Sequence, residues 1–201
     1  RVVRRFYKEH FIHFDRQIVL ADCLTPLNSG AAHFEDLKQA TAMILESFNY
    51  GRSSLFSRLF SPKIDKLMFA ATKADHITPE QHGNLVSLLN QLVYQTKQHL
   101  QYDTIKMKTL AISSVKTTTA GKSVYQGNEV PVIQGRRDKD NKLITIFPGA
   151  VPAKLPKPSY WTEKGFNFVS FSPLQSLEPN TCLPHVRMDQ VLQFLLGDKM
   201  K

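Results

Sequence analysis

Three short, uninterrupted apolar runs punctuate the first half of the chain: Ile18-Val19-Leu20-Ala21, Leu67-Met68-Phe69-Ala70-Ala71 and Leu110-Ala111-Ile112. Runs of this length without polar alternation predict strands buried on both faces of a parallel sheet. The stretches between them are amphipathic. Phe34, Leu37, Thr41, Ile44, Leu45 and Phe48 recur at three- and four-residue spacing, after the turn residues Asn28, Ser29 and Gly30 and before Gly51, which predicts a helix over 31–50. Leu85, Leu88, Leu89, Leu92 and Val93 form a second apolar stripe, predicting a helix over 79–98. In front of it stands Thr78-Pro79-Glu80-Gln81, the residue types of a capping box with proline at the first helical position. Strand, helix, strand, helix, strand is the order of a doubly wound α/β sheet, where ligands sit at the carboxyl ends of the strands.

The second half changes character. Most of the 11 prolines fall between Pro131 and Pro184, and alternating or β-branched runs replace helical ones at 123–125, 130–133, 143–147 and 166–171. Gln126-Gly127-Asn128 and Asp138-Lys139-Asp140-Asn141 read as turns between them, so a β-hairpin or small antiparallel extension is expected, followed by a proline-rich crossing loop over 148–160. Met188, Val191, Leu192 and Leu195, closed by Gly197, predict a terminal helix that docks back on the sheet. The expected organisation is an α/β domain over 1–120, a β- and proline-rich extension over 121–185, and the helix over 186–201.

Composition narrows the class. At 201 residues and 22.9 kDa, with 42% hydrophobic and 21% charged residues, the chain can build its own core, which excludes a stapled mini-protein and wholesale disorder. No apolar run approaches the roughly 20 residues of a membrane span. Cys23 and Cys182 make neither a disulfide framework nor a zinc pattern, so a reducing, cytoplasmic setting is expected. The opening Arg1-Val2-Val3-Arg4-Arg5 lacks an initiator Met and reads as a cut inside a larger protein. The net charge of +9 suggests an anionic partner, but the positive residues are scattered rather than blocked, which argues against nucleic acid.

The densest chemical signal is Thr72-Lys73-Ala74-Asp75, directly after the second apolar run. It resembles the guanine-specificity motif Asn/Thr-Lys-x-Asp of GTPases. A carboxylate can accept from both N1–H and N2–H₂ of guanine, whereas adenine offers no such donor pair at that edge. Lys73, carried over from the motif, lays its stem along the base or ribose and directs its ammonium toward a phosphate-binding loop. Thr72 replaces the commoner Asn and loses an amide donor. After the third run, Ser113-Ser114-Val115 resembles the Ser-Ala-x loop, whose backbone N–H groups meet guanine O6. The competing reading is that Asp75 and Thr78 only start the next helix.

Other candidates point elsewhere. Asp22 follows the first run, but Cys23-Leu24-Thr25 after it lacks the glycine of an Asp-x-x-Gly switch, so it reads as a loop or structural residue. Gly121-Lys122-Ser123 has the end of a phosphate-loop pattern with Lys116 at the first-glycine position, and it precedes a hairpin instead of joining a strand to a helix, which makes it a false match. His10, His13, His76 and His82 lack metal-site companions and read as surface or loop residues. Cys23 and Cys182 read as buried, inert thiols, and Phe166, Phe168 and Phe171 as core-facing.

Taken together, Phe14-Asp15-Arg16-Gln17-Ile18-Val19-Leu20, Asp22-Cys23-Leu24, Pro26-Leu27-Asn28, Leu59-Phe60-Ser61-Pro62, Ala70-Ala71-Thr72-Lys73-Ala74-Asp75-His76 and Leu195-Leu196-Gly197-Asp198-Lys199 resemble the carboxyl-terminal portion of the bacterial YcjX-type, stress-associated P-loop proteins. The resemblance implies part of a P-loop NTPase (GTPase-like) sheet, with phosphate loop and switch aspartate upstream. It implies a GTP/GDP ligand bound through Thr72, Lys73, Asp75, Ser113, Ser114 and Val115, with magnesium held by residues outside this stretch. It also implies a cytoplasmic location at or near the inner membrane face. Hydrolysis by the intact protein is expected, and inactivity of this stretch alone. The alternative is a basic scaffold that binds an acidic protein or an anionic membrane surface without a nucleotide role.

Overall fold

The computed structural model describes residues 14–47, 64–97, 105–173 and 182–200. Strands β1 (Arg16–Ala21), β2 (Lys66–Ala71) and β3 (Lys106–Ala111) form a parallel sheet in that spatial order. Ala21, Ala71 and Ala111 lie in register at its carboxyl end. Helices α1 (Leu24–Ser29) and α2 (Ala31–Ser47) connect the first strand onward, and α3 (His82–Lys97) links the second to the third. The sheet is followed by the antiparallel strands β4 (Thr118–Tyr125), β5 (Asn128–Arg136) and β6 (Leu143–Ile146), a short helix α4 (Ser159–Glu163), and the closing helix α5 (Met188–Leu196).

Alternation along β2 divides the core. Leu67, Phe69 and Ala71 pack with Phe34 and Leu45 of α2 and Leu85, Leu88, Leu89 and Leu92 of α3, while Met68 and Ala70 face Val191 of α5. Helices therefore cover both faces, as the doubly wound α/β reading requires. All six residues of β2 are buried. The first run departs from the expectation of burial on both faces: Ile18 and Leu20 of β1 are 37% and 62% exposed. Within the described residues β1 is an edge of the sheet with one face uncovered, whereas the third run is covered on both, Ala111 facing the side of α2 and α3 and Leu110 and Ile112 the side of α5.

Two further expectations need correction, and a third lies partly outside the described residues. The capping box does not form: Thr78 makes no side-chain cap, residues Pro79–Gln81 are a 3₁₀ turn, and α3 begins at His82. Gln81 instead spans outward, its Nε2 donating to Gly149 O at 2.7 Å and its Oε1 accepting from Val151 N at 2.5 Å. Binding that strap satisfies the buried N–H of Val151 and the half-buried carbonyl of Gly149, which a cap would leave without this partner. The run 166–171 is not a strand; it is irregular chain carrying a single bridge, Arg137 to Phe171. Its aromatic rings decide its place: Phe168 and Phe171 are buried and Phe166 is half-buried. Helix α2 is described only to Ser47, so the remainder of the predicted 31–50 helix lies outside the described residues.

The hairpin is as read. Gln126 (φ 50°) and Gly127 (φ 78°) make the two-residue turn between β4 and β5, whose positive dihedrals match the strand twist. The Gly121-Lys122-Ser123 triplet lies inside β4, where Lys122 pairs with Glu129 across the ladder, and is no phosphate loop. After β6 the chain crosses α3 as a strap. Gln91 repeats the grip of Gln81, donating to Ala153 O (2.7 Å) and accepting from Leu155 N (3.2 Å). Asn28 then clamps Phe168 through both its amide groups, at 2.6 and 2.7 Å, and Trp161 Nε1 donates to Leu27 O. At the opposite end of the sheet, Arg16 and Lys66 converge on Asp198 just past α5, at 2.6 and 2.8 Å. No described helix is long and apolar enough to cross a membrane.

Candidate functional site

The three strand ends deliver the sequence-predicted residues to one edge. Thr72 N donates to Ala21 O (2.9 Å), Ile112 N to Ala71 O (2.8 Å) and Ala74 N to Ile112 O (3.1 Å), so the ladder continues into the loops. Lys73 sits at φ 59°, in the left-handed region that a side chain enters at a cost of roughly 1–2 kcal/mol. That single reversal lets Ala74 turn back toward β3, and non-glycine strain of this kind concentrates at functional sites.

Asp75 is 4% exposed, and its Oδ2 accepts from Thr117 N at 2.6 Å and Thr117 Oγ1 at 2.7 Å. Thr118 Oγ1 in turn donates to Asp75 O. Ser113 Oγ lies 2.8 Å from Val115 O and also serves the carboxylate; its one proton can satisfy either. Burial pushes the Asp75 pKa up, but the hydrogen bonds from Thr117 and Ser113 outweigh it and hold it below the usual carboxylate value. Asp75 is therefore an anchored anion.

Lys73 Nζ reaches Asp22 Oδ2 at 2.7 Å and Thr25 Oγ1 at 3.0 Å. Asp22 also accepts from Leu24 N, Thr25 N and Thr25 Oγ1, which occupies the first-turn donors of α1. Burial raises its pKa less than Lys73 and Thr25 lower it. The structural reading of Asp22 is thus joined to the motif through Lys73. A carboxylate with four donors has little acceptor capacity for a cation, and among the described residues no group of three acidic, His or Cys side chains could hold a metal.

Ser113 is buried and pairs with Val186 in both directions, its N–H donating to Val186 O and its carbonyl accepting from Val186 N. Lys116 N is committed to Pro184 O and Thr117 N to Asp75, so the amides of Ser114 and Val115 are the ones this loop can offer a ligand. Ser114 is exposed and Val115 half-buried. Two shallow grooves of about 340 and 540 Å³ lie away from these loops, one beside Tyr94 and Met107 and one beside Lys108 and Phe194.

The histidine reading fails for two residues. His76 and His82 are each 7% exposed, and burial lowers the pKa of both. His76 meets Phe171 edge-on, and His82 bonds to Ala74 O at 2.7 Å. A local pattern could not reveal this, because the covering groups come from residues 171 and 187. His10 and His13 lie outside the described residues. Cys23 is buried, its thiol pushed up to about 12 by burial and by Asp22, whereas Cys182 is exposed and not buried as expected. Thr117 and Arg187 belong to the site and no motif announced them.

Parallel strands ending in a Thr-Lys-x-Asp turn and a serine loop, with helices on both faces, define a GTPase-like α/β fragment. The YcjX-like family, DUF463, matches residues 1–200, and the chain belongs to that family. A protein of Escherichia coli K12 called "Ras-like GTPase YcjX" is 49% identical over all 201 residues, and one of the same name from Shewanella oneidensis MR-1 is 43% identical over 204. The chain spans only 43% and 42% of the lengths of these relatives.

Proposed function

We propose that this chain is the base-recognising part of a guanine-nucleotide-binding GTPase, with Asp75 as the guanine-reading carboxylate. The anchoring of Asp75 through Oδ2 supports the reading most directly: Thr117 fixes the group, while Oδ1 keeps acceptor capacity for the N1–H and N2–H₂ of a guanine. At 4% exposure water competes little for the carboxylate, so a base that cannot donate leaves a buried charge poorly paired. Ser114 and Val115 supply amides for O6, and Thr72 and Lys73 shape the turn and orient its neighbours. The names of the relatives fit this reading, and magnesium and the phosphate groups then fall to residues beyond those described. On this reading the stretch alone does not hydrolyse GTP, and the intact protein does.

The test is a swap of preference in the intact protein. Asp75→Asn keeps its oxygen on the Thr117 donors and turns an NH₂ toward the base, which suits the C2 carbonyl of xanthine and not the amino group of guanine. Wild-type protein should favour GDP over ADP by roughly 10-fold or more, the yield of about 1–3 kcal/mol of paired readout. In Asp75→Asn the preference should pass to xanthosine diphosphate. Equal wild-type affinity for GDP and ADP sinks the proposal.

A further inference from the structure

Two side chains outside the motif connect its loops. His82, the first residue of α3, has Nε2 2.7 Å from Ala74 O and Nδ1 3.1 Å from Arg187 Nη1. A ring nitrogen facing a carbonyl must carry a proton, and one facing a guanidinium must not, so these partners assign the neutral Nε2–H form. The same Arg187 Nη1 donates to Ala111 O at 3.0 Å, the last residue of β3 before the serine loop. Ala74 O, His82, Arg187 and Ala111 O thus form one continuous chain from the Thr-Lys-x-Asp turn to the strand that feeds Ser113.

The backbone around Arg187 reinforces it. Val186 is paired with Ser113 in both directions and Pro184 O accepts from Lys116 N, so residues 184–187 run along the serine loop. Arg187 itself adopts φ 56° and turns this segment into α5. A left-handed arginine at that corner aims its side chain back under the loop, a cost of the kind functional geometry sustains.

We propose that Arg187 and His82 act as a positioning clamp that holds the two base-facing loops at the spacing guanine requires, and thereby limits how fast the nucleotide leaves. The proposal rests on the guanine reading above. The clamp also has a built-in release: protonating Nδ1 turns the acceptor for Arg187 into a donor and sets two cations against each other. The groups facing His82 are Arg187 from the 184–187 segment, Asp75 from the turn after β2 and Glu80 from the 3₁₀ turn. Of these four, His82 alone has an ordinary pKa near neutrality.

The experiment follows release of a fluorescent GDP from the intact protein, together with its preference for GDP over IDP, whose base lacks the N2 amino group. Arg187→Met should speed release roughly 10-fold, the equivalent of about 1.4 kcal/mol of lost charge-assisted bonding. It should also narrow the GDP-to-IDP ratio, which a general loss of stability leaves alone. Should Arg187→Met not fold, Arg187→Lys, which reaches one acceptor but not both, should show the same change. His82→Gln keeps an N–H for Ala74 O and an oxygen for Arg187, so it should retain slow release near neutral pH and lose the acceleration that wild type shows on acidification. Unchanged release and ratio in the Arg187 variants, with Asp75→Asn still turning to xanthosine diphosphate, overturn the clamp and leave the base reading standing. Acid acceleration that persists in His82→Gln also overturns it. A wild type without guanine preference overturns both.

Discussion

Protonation of His76 and His82 sets a stability limit on the acid side. Burial holds the pKa of both below the ordinary 6.5. Between the folded and unfolded values the unfolded chain binds more protons, so stability rises with pH across that window. The contribution is complete above about pH 7 and is lost progressively as pH falls below about 6.5 toward the depressed folded values. Thermal melts from about pH 7.5 to about pH 5 should fall, with a smaller slope in His82→Gln, whose amide has no proton to gain. Asp22 and Asp75, lowered and not raised, add acid sensitivity only further down, as pH drops through the carboxylate range. At this scale the sequence offered Asp75, Ser114 and Val115 as candidates for reading a base. It could not show that Thr117 holds the Asp75 carboxylate or that Arg187 meets His82, since 42 positions separate the first pair and 105 the second.

Among the elements, β5 reaches into the site without contributing a functional side chain. A Cβ on its Gly135 would come within 2.8 Å of Phe171 and 3.0 Å of both Thr117 O and the Thr118 side chain. Backbone so close cannot yield without moving the threonine pair that anchors Asp75. Gly135→Ala should therefore lower stability by about 1–3 kcal/mol, the usual penalty of overpacking, and weaken GDP binding as well. Chemical denaturation and nucleotide titration of the one variant check both effects. Gly121, whose added Cβ would meet only Val132 at 4.0 Å, makes the control. The hairpin, its turn at Gln126 and the helix stripes were legible because each is a local repeat. The crossing loop was legible in its prolines, but its grip by Gln81 and Gln91 was not, because the backbone groups they bind lie 62 to 70 positions away.

Across the whole molecule, stability is graded from a buried centre to an exposed arm. Every residue of β2 is buried, and helices close both its faces. In β4 only Thr118 is buried, and Val124 and Tyr125 near the tip are 72% and 64% exposed. Amides whose hydrogen bonds open only with the core exchange slowest, while those in a solvated ladder open locally. Hydrogen exchange should therefore rank residues 67–71 the most protected and 121–129 the least among the strands. Comparable protection in the two would contradict this gradient.

What the sequence alone determined is the order of the sheet strands, the hairpin and the longer helices, because hydrophobic periodicity, turn residues and a strand-end motif act over a few neighbouring positions. It also determined the chemistry on offer at the strand ends, since a carboxylate after a buried strand keeps its character wherever the chain goes. Tertiary structure decided which apolar runs are covered on two faces, which histidines are neutral, and which oxygen of Asp75 is anchored. Each of those depends on groups brought together from distant positions, and burial and hydrogen-bond partnership are properties of that meeting.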